Sequence, residues 1–215
     1  MPPDTILGFD TSAAHCAAAL LLPDGRCLTR IEDMAKGQAE RLRPLLEEVL
    51  AEGRIGWNDL AAIGVGTGPG NFTGVRISVA AARGLALALR IPAIGVTRFE
   101  ALAFGLPRPI TVVEDARRQE VYVQHFGTAG PEAAYLTASA AFKVVGPVTG
   151  SAAQDLSADR GLSATLLTPA MPMVEAIARI AATRAGGPSP RPAPFYLRGA
   201  DAAPPSDPPP VILDA

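Results

Sequence analysis

The run Gly66-Thr67-Gly68-Pro69-Gly70-Asn71-Phe72-Thr73-Gly74 leads from a short apolar segment, Leu60 to Val65, into a long one, Phe72 to Leu89. Closely spaced glycines let a chain reverse sharply and let backbone approach backbone. A buried strand, a tight glycine turn and a long helix form the building unit of an α/β protein. A turn in that position is also where anions bind, because backbone N–H groups and a helix N-terminus converge there. The run lacks the Gly-Lys-Ser/Thr ending of a P-loop, since Val75-Arg76 follow Gly74. No register of it places glycines at the first, third and sixth positions of a dinucleotide loop. A packing turn and an unconventional anion cradle both stay open on these residues.

The surrounding segments extend the α/β reading. Ile6 to Phe9, Cys16 to Leu22 and Cys27 to Ile31 read as three strands in a meander, with Pro23-Asp24-Gly25-Arg26 as the second turn. Leu42, Leu45, Leu46, Val49 and Leu50 recur at helical spacing, and Gly53 ends that helix. Its start lies either at Pro44, in the first turn, or near Gln38 with Pro44 inside. Ala93 to Val96 is the next strand, which gives the order βββαβαβ. The second half opens the same way, with strands at Ile110 to Val113 and Val121 to Phe126. Further strands are expected at Lys143 to Val148 and Ala164 to Leu167, and a helix at Met173 to Arg184. We therefore expect a duplicated α/β fold, with lobes at 1–103 and 104–200. Residues 186–215 carry 9 of the 21 prolines, so neither helix nor central strand is expected there. Phe195-Tyr196-Leu197-Arg198 is its one anchor, and 201–215 reads as a disordered tail.

Two helix faces and two carboxylates are candidates for function. Arg76, Arg83 and Arg90 recur every seven residues, beside the small residues Gly74, Ser78, Ala81, Ala82, Gly84 and Ala88. Small residues allow another helix to come close. With the leucine stripe next to it, this pattern suits a docking surface formed by Leu42, Leu45, Leu46, Val49, Arg76, Ser78, Ala81 and Arg83. Packing of the same stripes on the chain's own sheet is the competing reading. Asp10 and Asp115 end equivalent strands and are expected to face each other across a cleft between the lobes, where ligands prefer to bind.

Composition removes other classes. Lys plus Arg number 19 against 21 Asp plus Glu, a net charge of −2, too balanced for a chain that grips phosphate backbones by charge alone. Met1-Pro2-Pro3-Asp4 lacks a basic start, so no secretory leader is expected. No apolar run of about 18 residues is apparent, so no membrane span is expected. Cys16 and Cys27 read as reduced thiols of a cytoplasmic protein. His15 and His125 do not form a metal pair, no serine-nucleophile motif occurs, and neither metal nor cofactor is expected.

Taken together, Ile6-Leu7-Gly8-Phe9-Asp10-Thr11-Ser12, Glu40-Arg41-Leu42, the glycine run through Arg76-Ile77, Asp115-Ala116-Arg117 with Glu120-Val121-Tyr122, and Phe195-Tyr196-Leu197-Arg198 resemble the TsaB (YeaZ) family over nearly the whole chain. The resemblance implies a two-lobed actin-like ATPase fold (sugar kinase/Hsp70/actin, ribonuclease H-like) with a reduced C-terminal lobe, and a final strand at Phe195 to Arg198. It implies a non-catalytic scaffold in the bacterial complex that forms threonylcarbamoyladenosine next to the anticodon of tRNAs reading codons that start with A. Its partners would be the metal-dependent transferase TsaD, activated through the two N-terminal-lobe helices, and the ATPase TsaE, with tRNA reached through the complex. An exposed helix-docking face pairs with itself when its partner is missing, so a homodimer is expected of the isolated protein. Lys36 to Arg43 lacks the sister's metal-binding histidine pair, and Gln38 stands where many family members carry His. The turns after Asp10 and Asp115 lack the superfamily's phosphate-loop glycines. Asp10, Thr11, Ser12, Gly68, Gly70 and Asp115 then mark a vestigial nucleotide cleft. The alternative is an actin-fold ATPase or small-molecule kinase that keeps its own nucleotide site.

Overall fold

The computed structural model describes residues 4–160 and 164–198, so the tail expected at 201–215 lies outside the described residues. The first sheet contains β1 (Ile6–Asp10), β2 (His15–Leu21), β3 (Cys27–Asp33), β4 (Ala62–Gly66) and β5 (Ala93–Val96), in the order β3-β2-β1-β4-β5. Tight turns make β1, β2 and β3 antiparallel, whereas β4 and β5 run parallel to β1 because helices connect them. Those connections are α1 (Gln38–Gly53) and α2 (Phe72–Leu89). Pro44 is inside α1, so the longer of the two alternative helices forms. Lacking an N–H, it leaves one helix hydrogen bond unmade, and its exposed ring does not break the element.

The strands alternate between two buried faces. Leu7, Phe9, Ala18 and Leu20 point into the cluster that holds Leu42, Leu45, Leu46 and Val49 of α1 and Val75 and Val79 of α2. Ile6, Ala17, Ala19 and Leu21 point the other way. The helix that covers this second face is Met173–Arg184, which the sequence places with the second lobe. It packs on β1, β2, β4 and β5. Gly8 and Gly64 are register partners on adjacent strands. A Cβ on Gly8 would come within 2.9 Å of the Ala178 Cβ, and one on Gly64 within 2.9 Å of the Ala181 Cβ. Paired glycines thus make a flat seat into which the alanines of that helix settle.

A second sheet is built from β6 (Ile110–Asp115), β7 (Glu120–Gly127), β8 (Gly130–Pro131), β9 (Tyr135–Ala138) and β10 (Val148–Thr149), in the order β10-β6-β7-β8 with β9 also on β7. Of the strand expected at Lys143 to Val148 only its end pairs, and Ala164 to Leu167 contributes a single bridge, Leu166 to Val148. α3 (Arg98–Ala103) links the sheets, α4 (Ala153–Arg160) follows β10, and α5 is Met173–Arg184. A capping box, Thr97 with Glu100, starts α3. Phe195 to Arg198 is irregular rather than a strand. It is held by individual contacts with both halves instead of a ladder.

The glycine seat gives a direct test. Gly64→Val forces α5 away from the sheet, and overpacking of this kind costs about 1–3 kcal/mol. At two to four degrees per kcal/mol, the thermal midpoint is expected to fall by roughly 3–10 °C. A calorimetric scan showing an unchanged midpoint would contradict the seat.

Candidate functional site

The turn after β1 and the glycine run before α2 lock together. The Thr11 hydroxyl donates to the Gly74 carbonyl at 2.6 Å, and the Asn71 N–H donates to the Ser12 carbonyl at 2.6 Å. Asn71 also caps α2, its side-chain oxygen accepting from the Gly74 N–H at 2.9 Å. There is no space between the two turns. A Cβ on Gly74 would sit 1.9 Å from the Thr11 carbonyl oxygen, and one on Gly70 would sit 2.4 Å from that of Ser12. These glycines are required because another backbone occupies the place of their side chains. The packing-turn reading of the run is therefore the observed one, and the loop does not fit a phosphate chain.

Asp10 is sealed by the same junction. One carboxylate oxygen accepts from the Ser12 N–H at 3.0 Å and the Ser12 hydroxyl at 2.9 Å, and the His15 Nε2 lies 2.7 Å away. The other oxygen is buried against Gly66, where a Cβ would fall 2.0 Å from it. This is a correction to the expected pairing of Asp10 with Asp115. Asp10, Thr11 and Gly68 are buried away from the cleft, whereas Ser12, Gly70 and Asp115 line it.

The cleft itself is real, with a volume of about 730 Å³. Arg98 at the start of α3 and the buried Glu114 on β6 pair across it. The second Glu114 oxygen accepts from the Ser151 N–H at 2.7 Å. Asp115 is exposed and caps its own turn through the Arg117 N–H at 2.8 Å. The irregular C-terminal segment closes one side. The Phe195 N–H donates to the Thr67 carbonyl at 2.8 Å, and Arg198 donates to the Ala116 carbonyl at 3.0 Å and pairs with Glu120. Gln38 lines the cleft and donates to the Met34 carbonyl at 3.0 Å. The polar groups here hold one another, and the cleft reads as a stapled seam between the sheets.

The expected docking stripe also needs correction. Leu42, Leu45, Leu46, Val49 and Ser78 are buried within the chain's own first core. An apolar stripe beside a sheet finds that sheet before it finds a partner. Arg41, beside that stripe, fixes α1 to β3 by contacting Glu32 at 2.6 Å and Glu48 at 2.7 Å. Ala81 and Arg83 are half-buried and Arg76 is exposed. The outward face of α2 consists instead of Ala80, Gly84, Leu87 and Ala88, with Leu87 75% exposed. α2 is long and apolar enough to cross a membrane by composition, with a mean hydropathy of 1.4, yet only 33% of it is buried. Its inner face belongs to the first core, which identifies it as a sheet-covering helix with an apolar back.

The remaining candidates for chemistry are satisfied internally. His125 is buried between the Thr111 hydroxyl at 3.0 Å and the Tyr135 hydroxyl at 3.1 Å. Burial, then the nearby Glu32 carboxylate, pushes the Cys16 thiol up to about 11, and burial also raises Cys27. Neither thiol is an activated nucleophile. Among the described residues no three His, Cys, Asp or Glu side chains cluster to hold a metal ion. Sequence reasoning assigns no role to Arg98 or Glu114, and it places Arg198 in the anchor Phe195 to Arg198 without its contacts. The Thr97-x-x-Glu100 capping box was the available signal for the first of them.

Two glycines of α2 separate the packing role from ordinary helix propensity. Gly→Ala in an exposed helix interior stabilises by about 1 kcal/mol. Gly84 has nothing within 4 Å of an added Cβ, so Gly84→Ala should raise the thermal midpoint. Gly74→Ala should lower it, because the Thr11 carbonyl must move. Equal shifts in one direction would show that the two turns are not in contact.

Residues 32–184 match the family model described as TsaD, tRNA N6-adenosine threonylcarbamoyltransferase. A curated relative from Haemophilus influenzae, tRNA threonylcarbamoyladenosine biosynthesis protein TsaB, is 38% identical over 124 residues, 55% of this chain and 52% of that protein. The chain thus spans about half the length of the curated relatives it matches. The solved structure of YeaZ from Pseudomonas aeruginosa superposes with a TM-score of 0.72 at 28% identity, over 90% of this chain and all of that one. Component A of (R)-2-hydroxyglutaryl-CoA dehydratase from Acidaminococcus fermentans has a TM-score of 0.53 at 11% identity, covering 86% of this chain and 100% of that one, a likeness of fold alone. The fold is the actin-like ATPase α/β fold.

Proposed function

Because the chain belongs to the threonylcarbamoyltransferase family of that model, and within it to the TsaB (YeaZ) group, we propose that it is a scaffold subunit in tRNA threonylcarbamoyladenosine formation. In this reading it binds and activates the transferase TsaD and performs no chemistry itself. The observation that carries it is the outward face of α2, where Ala80, Gly84 and Ala88 recur every four residues beside the exposed Leu87. Residues four apart share a helix face, and small ones let a second helix approach to backbone contact. An apolar face of this kind on a helix only 33% buried supports a partner's helix as its cover. In the absence of TsaD, a second copy of this chain is the expected occupant.

The plugged glycine run supports the same reading over an ATPase or kinase. Its close backbone contacts leave no room for phosphates, and only Asp115 of the two strand-end aspartates reaches the cleft. Titration of the chain with Mg-ATP is accordingly expected to release no heat of micromolar binding. Turnover of ATP by the chain alone would favour the enzyme reading.

Capture of TsaD tests docking without disturbing the fold. Gly84→Leu adds a good helix former where the monomer has open space, so the thermal midpoint should hold or rise. Affinity for TsaD should fall at least about tenfold, equivalent to about 1.4 kcal/mol. Unchanged capture would reject α2 as the docking helix. Leu45→Glu is unsuited to this purpose, because it places an unpaired charge in the core and unfolds the sheet that carries α2.

A further inference from the structure

At the C-terminal end of α2 a groove of about 420 Å³ is lined by Arg83, Arg90 and Arg191. Leu87 and Pro192 supply apolar wall, Ser189 adds a hydroxyl, and among the described residues no Asp or Glu lines it. Among the described residues none of the three guanidinium groups has a hydrogen-bond or ion-pair partner. A cation at a helix C-terminus is favoured by the helix dipole, which accounts for Arg90, the α2 C-cap residue. It does not account for Arg83 a full two turns earlier. Nor does it explain Arg191, which arrives from the irregular segment after α5. Two arginines of α2 and a third from beyond α5, with no counter-charge beside them among the described residues, define a site for an anion.

The choice of anion follows from what continues the groove. Arg83 and Arg76 extend the row along α2, with successive members about 10 Å apart along the axis. At the far end, Phe72 and Tyr196 stack with ring centroids 5.2 Å apart, and both are substantially exposed, at 46% and 44%. The Arg76 guanidinium lies 3.7 Å from the Phe72 ring centroid, and its Nε donates to the Tyr196 hydroxyl at 3.0 Å. Planar guanidinium forks match phosphate oxygens. A line of them that ends on exposed aromatic surface suits a polymer of phosphates and bases better than an acidic peptide, which offers no rings to stack.

We propose that the arginine edge of α2 binds the phosphate backbone of RNA, anchored in the groove formed by Arg83, Arg90 and Arg191. The inference rests on the tRNA reading given above and deepens it, making this subunit a direct contact for the nucleic acid. The small net charge of the whole chain is no obstacle, because phosphate contacts are made locally by the arginines that line the groove.

The experiment is fluorescence anisotropy of a labelled tRNA transcript titrated with the full chain across about 50–200 mM salt. Wild-type binding should weaken steeply as salt rises. The triple variant Arg83→Gln, Arg90→Gln, Arg191→Gln should bind about tenfold more weakly at the low end and lower the log–log salt slope by roughly 2, near 0.7 for each lost contact. The same variant should capture TsaD as the wild type does. Gly84→Leu should lose TsaD and keep the RNA slope, so failure of docking and failure of RNA binding are told apart. An unchanged slope in the triple variant, or polyglutamate displacing tRNA at equal charge, would overturn the proposal.

Discussion

Backbone contact between the Thr11–Ser12 turn and Gly70 and Gly74 is the constraint on which the rest of the molecule depends. The turn after β1 can occupy that position only if the residues facing it carry no side chain. Once it is there, the Thr11 hydroxyl and the Ser12 carbonyl consume groups at the entry to α2, and the start of that helix is fixed in space. The direction of α2 follows, and with it the division between the face that covers the sheet and the face that does not. A turn at a helix N-terminus, of the kind that can hold an anion, serves here as a joint. The same hydrogen-bonding capacity serves rigidity in place of ligand binding.

Buried charge is handled in the same inward manner. Asp10 is taken up by Ser12 and His15, and Glu114 by Arg98 and the Ser151 N–H. A buried carboxylate left alone is costly, whereas one with several donors is tolerated. The Arg98–Glu114 pair secures the seam between the two sheets, and the segment around Phe195 and Arg198 fastens it from the other side. The back and one edge of α2, by contrast, carry no such internal partners among the described residues.

Much of this was legible in the sequence, for identifiable reasons. The first sheet and its two crossover helices follow from short apolar runs bounded by turn residues and from a period-3.6 stripe strong enough to survive the ambiguity at Pro44. The glycine run was located but not decided, because spacing cannot reveal that the Thr11 carbonyl fills the space beside Gly74. By spacing alone the leucine stripe suits either a docking face or the chain's own sheet, and it is the sheet that claims Leu42, Leu45, Leu46 and Val49. Sequence periodicity identifies a buried face without naming what buries it. The seat for α5 at Gly8 and Gly64 was missed, since two glycines far apart in the chain become meaningful only once strand register pairs them. The second sheet was the least legible, its strands being short and its connections irregular.

The geometry of α2 shows how one helix can serve two partners at once. Each residue advances about 100° around the axis. The small residues Ala80, Gly84 and Ala88 are four apart, so their row drifts by about 40° at each step. Arg76, Arg83 and Arg90 are seven apart, so theirs drifts by about 20° in the opposite sense. Near the start of the helix the two rows are neighbours, about 40° apart between Arg76 and Ala80. By its end Ala88 and Arg90 lie about 160° apart, on nearly opposite sides. A partner helix seated on the small row would therefore leave the groove at Arg83 and Arg90 progressively more open toward the C-terminal end, where Arg191 joins it. The difference between a period of four and a period of seven is enough to separate protein docking from anion binding along a single helix of 18 residues.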